Sequence, residues 1–176
     1  VLKFSETELI STANVPQFSS IDSALRVPEV LCALDEAQTF DQLGVYLDYD
    51  SSKKVTANKK YGENHAKLAT LLDLADIVSG APLHVCATPF SERFRALSLD
   101  EQRSMTARLA FRIPIIQRIL IDAAHGSVDA SEYLKPFSES TKKRRLPNLR
   151  TLFVLIEQHA CEDDERLLNA LSNVRL

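Results

Sequence analysis

Four glycines in 176 residues leave little material for phosphate-cradling loops. They stand alone at positions 44, 62, 80 and 126, so neither glycine-rich nucleotide fingerprint can form. Three cysteines, Cys32, Cys86 and Cys161, are too few and too widely spaced for a disulfide framework. The expectation is a reduced, cytoplasmic protein with small buried thiols. His84-Val85-Cys86 and His159-Ala160-Cys161 offer four ligand types for zinc, but the Cys-x-x-Cys spacing is missing, and neither a metal nor any other cofactor is expected. No apolar run approaches the roughly 20 residues that span a bilayer, so no membrane association is expected. No lysine has an acid two residues before it. That removes the Glu/Asp-x-Lys half of the commonest metal-dependent nuclease site, in which acids hold the metal that activates water.

Hydrophobic residues make up 45% of the chain and charged residues 26%, which suits one domain with a real core or two small units packed together. The net charge of −3 hides strong segregation. Residues 1–50 carry nine acids and two bases, 2 − 9 = −7. Residues 51–67 carry five lysines and one glutamate, 5 − 1 = +4, and residues 140–150 carry five cations and no acid, +5. Residues 151–176 return to 2 − 5 = −3. A single charge run is most simply a solvated face. Two runs, each at the start of an expected helix, favour a polyanionic partner.

The periodicity is mainly helical. Pro28 suits a first helical position, followed by Val30, Leu31, Ala33 and Leu34 through Glu36. Thr39-Phe40-Asp41-Gln42 reads as a capping box for a second helix ending near Asp48. A third helix is expected from Lys54 or Thr56 to Leu74, weakened by Gly62. Ile77-Val78, the turn Ser79-Gly80-Ala81-Pro82, and Leu83 to Thr88 read as a hairpin, and Thr88-Pro89 as the cap of the next helix. Three helices followed by a hairpin is the element order of a winged helix. A long helix over 99–124 follows, kinked at Pro114, then a short helix from Asp129 or Ser131 to Phe137. The last clear helix starts at Ser140, Thr141 or Pro147 and runs to His159, and a final one covers Arg166 to Asn173.

An α-helix fits the major groove of duplex DNA. It needs short polar or planar side chains towards the bases and cations at its flanks for phosphates. In the first unit Asn58, Asn64 and His65 are placed to meet base edges, with Lys53, Lys54, Lys59, Lys60 and Lys67 to neutralise the backbone. In the second, Ser140 and Thr141 would cap the helix while exposing amides to a phosphate. Lys142, Lys143, Arg144, Arg145, Asn148 and Arg150 would supply both kinds of contact.

Three stretches then carry a resemblance: Tyr61-Gly62-Glu63-Asn64-His65-Ala66-Lys67-Leu68-Ala69, the 109–120 segment containing Arg112-Ile113-Pro114-Ile115-Ile116, and Ser140-Thr141-Lys142-Lys143-Arg144-Arg145. In this order the chain resembles, over about residues 25–160, the tandem winged-helix DNA-recognition domains of bacterial restriction-modification and phage-defence proteins. The resemblance implies sequence-specific binding of double-stranded DNA, as target recognition for a restriction endonuclease or related defence system, with a nuclease domain or subunit as partner; whether the chain is a fragment or subunit of a type II restriction endonuclease stays open. It places no catalytic residue in this chain, which taken alone is not expected to be an enzyme. The fold expected is mainly α: an N-terminal extension (1–24), a winged-helix unit (25–98), a linking helix (99–126) and a second helix-turn-helix-like unit (127–176). Two alternatives stay open: a protein-interaction scaffold built of winged helices, and a nuclease with an uncommon active-site pattern.

Overall fold

A computed structural model describes residues 10–48, 55–159 and 165–176. Eight α-helices among these residues make the chain mainly helical, with two small sheets. No helix of the described residues is long and apolar enough to cross a membrane.

Helix α1 spans Ile21–Leu34, with Ser20 as N-cap accepting from the Ser23 amide. It starts seven residues before Pro28, which lies inside it. Ala24, Leu25, Val27 and Leu31 form a buried stripe on both sides of the proline, and that burial outweighs the one backbone bond Pro28 cannot make. The expected boundary of the N-terminal extension at residue 24 therefore falls within this helix. β1 (Gln38–Thr39) leads directly into α2 (Phe40–Leu47), and the Thr39–Gln42 capping box is present as expected.

Helix α3, Val55–Leu71, is continuous through Gly62. A Cβ at Gly62 would stand 1.9 Å from the Phe40 carbonyl oxygen, and one at Gly44 1.9 Å from that of Asn58. The two glycines let α2 and α3 touch backbone to backbone. That packing offsets the roughly 1 kcal/mol that glycine costs inside a helix. After α3, Asp73 takes the left-handed conformation at φ 57° and turns the chain into β2 (Ala75–Val78).

β2 pairs antiparallel with β3 (His84–Ala87), placing Ile77 opposite Val85, as the hairpin reading required. β1 joins the other edge of β3, with Gln38 opposite Val85, giving the order β1-β3-β2. Helix α4 (Pro89–Arg95) begins at Pro89 behind a Thr88 cap, again as expected. The Ser91 hydroxyl closes that cap and donates to the Leu74 carbonyl at 2.6 Å, tying the helix to the end of α3.

The expected single helix over 99–124 is two helices, α5 (Leu99–Ala110) and α6 (Pro114–Ala123). Pro114 restricts the residue before it to extended backbone. Ile113 adopts φ −70°, ψ 119°, so the first helix ends and Pro114 opens the next. β4 (Val128–Asp129) then leads into a 3-10 turn over Ala130–Leu134. Helix α7 covers Glu139–His159, α8 Glu165–Ser172, and β5 (Val174–Arg175) pairs in parallel with β4. Pro147 lies within α7, its ring exposed, while Leu149, Leu152, Phe153 and Ile156 are buried. Their neighbours in the core include Ile113, Ile115, Ile116 and Ile119, and this apolar set is continuous with Leu43, Leu68, Leu72 and Val85 around the three-stranded sheet.

Candidate nucleic-acid interface

The described part of the first basic stretch lies on α3 and the second lies on α7, and the residues before α1 bridge them. Val15 is fully buried and Pro16 is buried beside it. From α7, Arg145 Nη1 donates to the Val15 carbonyl oxygen at 2.5 Å and Asn148 Nδ2 to that of Phe18 at 2.7 Å. From α3, His65 Nε2 meets Ser19 Oγ at 3.3 Å. Residues 15–19 thus form a strap held by both helices.

Three residues expected at base edges are spent inside the protein. His65 is 0% exposed, its ring 4.2 Å from that of Tyr61 and its Nδ1 2.8 Å from the Tyr61 carbonyl oxygen. Nδ1 has only an acceptor in reach, so it carries the proton and Nε2 accepts from Ser19. Burial holds its pKa below the ordinary histidine value, outweighing the hydrogen bond to the Tyr61 carbonyl. Asn58 is 8% exposed on the glycine-lined face towards α2, and its Oδ1 has no partner. Asn148 is 7% exposed and holds the strap. Small residues at 62, 66 and 69 mark the inward face of α3, and that face includes Asn58 and His65.

The other face of α3 carries Lys60, Asn64 and Lys67. Lys60 and Lys67 are 56% and 53% exposed and share Glu63, at 3.0 and 2.5 Å. Although burial pulls the Glu63 carboxyl upward, hydrogen bonds from Lys67 and Lys60 prevail and hold it below the usual carboxylate range. Lys59 is exposed and makes no ion pair with a described residue. Lys53 and Lys54 lie outside the described residues.

At the start of α7 the capping role falls to Ser138 instead of Ser140 or Thr141. Ser138 Oγ accepts from the Thr141 amide at 3.4 Å, and its carbonyl accepts from the amides of Thr141 and Lys142. Ser140 is exposed, and its carbonyl accepts from Arg144 Nε at 3.0 Å. Lys142 pairs with Glu139 at 2.6 Å. Lys143 is exposed and makes no ion pair with a described residue. Arg150 is directed to the other end of the chain, where Nη2 meets the Leu176 carbonyl oxygen at 2.7 Å. Arg145 is half-buried, and its Nε is a buried donor without a partner. Burial, with Arg144 alongside, holds its guanidinium below its ordinary pKa.

Lys60, Asn64 and Lys67 from α3 and Arg145 from α7 line one cavity of about 410 Å³, to which residues 12–17 also contribute. Charge and helical periodicity do not announce the strap. Its signal was Val15-Pro16 and Phe18, an apolar set within a polar segment.

Elsewhere, Ser104, His159 and Asp100 lie close together where α5 meets α7. Ser104 Oγ, however, donates to the His159 backbone carbonyl at 3.3 Å, not to its ring, and the ring stands 3.9 Å from Asp100. This grouping lacks the serine–imidazole bond that activates a nucleophile.

No family model matches this sequence, and neither a curated protein nor a solved structure matches it.

Proposed function

We propose that this chain binds duplex DNA through the exposed face of α3 and the first turns of α7, as the target-recognition part of a restriction or related defence system, working as a domain or a subunit beside a nuclease. The observation that carries the reading is the shared cavity: cations from two distant stretches, Lys60, Lys67 and Arg145, line one space. Exposed Lys59 on α3 and Lys143 and Arg144 on α7 add positive charge to the two helices, Lys143 from a side of α7 that lines a separate cavity with Lys142 and Arg150. In this reading residues 21–87 form a winged helix. The order α1-β1-α2-α3-β2-β3 with sheet order β1-β3-β2 supports it. The order α6, β4, 3-10 turn, α7 repeats the order α1, β1, α2, α3, which supports a second helix-turn-helix-like unit. Asn64 is then the base-reading residue of α3, since His65 and Asn58 face inward.

Binding to a panel of duplexes, measured by fluorescence anisotropy from low to physiological salt, tests the reading. Each neutralised phosphate releases counterions, so five exposed cations give a slope of about −4 to −5 in log affinity against log salt. Salt-insensitive or absent binding rejects it.

A second reading, a protein-interaction scaffold, is favoured by the hairpin tip. Val78 and Leu83 flank that turn and are 46% and 45% exposed, an apolar end for a wing that would otherwise meet phosphates. Charge reversal with Lys143→Glu and Arg144→Glu separates the two: the scaffold keeps its partner, and the DNA binder loses its duplex.

A further inference from the structure

The cavity between α3 and α7 is wider and more mixed in chemistry than a contact point for a DNA backbone requires. We propose that it is a binding site for a small organic phosphate of mononucleotide size. The site shares Lys60, Asn64, Lys67 and Arg145 with the DNA reading but does not need a duplex as its partner.

Charge is the first support. Three cations line the space, and the one carboxylate in direct contact with them is Glu63, which divides its two oxygens between Lys60 and Lys67. The excess is 3 − 1 = +2. A phosphate monoester at neutral pH carries about −1.5 to −2, whereas a backbone diester carries half of that or little more. Each ammonium also has three donors, of which Glu63 occupies one.

Unspent hydrogen-bonding capacity is the second. Arg145 gives Nη1 to the strap, while its Nε is buried without an acceptor. A buried donor left unmatched costs about 1–3 kcal/mol; the donors open to a ligand are those of Lys60 and Lys67 that Glu63 leaves over.

Size and lining are the third. A volume of about 410 Å³ falls within the range of roughly 300–1,000 Å³ usual for small-molecule sites. Val15, Leu71 and Ile77 supply apolar wall for a flat ring, and the amides of Asn14, Gln17 and Asn64 supply donors and acceptors at its edge. A bare anion site would need none of these.

Amide chemical-shift titrations of the full chain with inorganic phosphate, adenosine monophosphate and a short duplex test the proposal. The expected result is saturable shifts at Asn64, Lys67 and Arg145 with the mononucleotide, and weaker binding of inorganic phosphate. Lys67→Glu should lower mononucleotide affinity about tenfold or more. Arg145→Ala should do the same, but that change also releases Val15, so the exposed Lys67 variant decides the matter if Arg145→Ala does not fold. No shifts with the mononucleotide at millimolar concentration, or shifts that survive Lys67→Glu, overturn the proposal. If the duplex moves these amides and the mononucleotide does not, the cavity is a seat for backbone phosphate alone, and the DNA reading stands without it. If the mononucleotide binds and the duplex does not, the site stands and the DNA reading falls.

Discussion

Helices α3 and α7 have nearly the same sequence recipe, a lysine- or arginine-rich first half and an apolar second half, and they use it in opposite ways. α3 is pressed against α2 through two glycines, and its outward lysines are partly cancelled by Glu63. α7 touches the strap through Arg145 and Asn148 and leaves Lys143 without an ion pair to a described residue, while Arg144 Nε donates to the Ser140 carbonyl one turn back. Positive charge in a sequence is therefore a poor count of positive charge on offer. What matters is which cations have a local acid within one turn and which have been drafted into holding the chain together.

The sharpest way to break this contrast is at the crossing of α2 and α3. Gly62→Ala places a methyl group where the Phe40 carbonyl oxygen already lies, so it should destabilise the protein by about 3 kcal/mol or more, read from urea unfolding. By propensity alone, the same change in an exposed helix would stabilise by up to about 1 kcal/mol. The sign of the effect thus tests the packing directly.

Next in size is charge. Lys143→Glu with Arg144→Glu should weaken duplex binding at physiological salt by about tenfold or more. Lys60→Glu with Lys67→Glu should weaken it less, because Glu63 already offsets part of their charge. Equal losses would erase the distinction between the helices. Thr39→Ala removes the side-chain cap of α2 and should cost about 1 kcal/mol, measured by thermal or urea unfolding. Glu63→Gln should sharpen the contrast from the other side, raising duplex affinity about threefold by freeing both lysines.

The smallest effect is in pH. His65 is held neutral by burial, so its pKa is lower in the folded protein than in the unfolded chain. The unfolded state then binds more protons, and stability should be fully present above about pH 6.5 and fall as the pH drops below it. His65→Gln should remove that slope in unfolding experiments repeated across the acid range.

Features set by a few adjacent residues were legible. The Thr39–Gln42 box, the Thr88-Pro89 start and the hairpin pairing all depend on local chemistry. Pro114 was read as a kink, yet its restriction of Ile113 is enough to end one helix and begin another. β1 is two residues long and exists only through its pairing with β3, so no run of sequence announces it. The inward turn of Asn58 and His65 was hidden for a related reason. α3 is polar on most of its circumference, so apolar periodicity could not say which face packs; the small residues at 62, 66 and 69 could. Charge and shape pick out sixteen candidate side chains, and the structure divides the fourteen described ones by the neighbours they touch.

The tie over residues 15–19 has one more consequence. It has no regular secondary structure, yet one helix grips it at Ser19 and the other at Val15 and Phe18. Adding or deleting a residue there would shift the register in which Ser19 reaches His65 while Val15 and Phe18 reach Arg145 and Asn148. A short irregular segment thus couples two helices that are far apart in the chain.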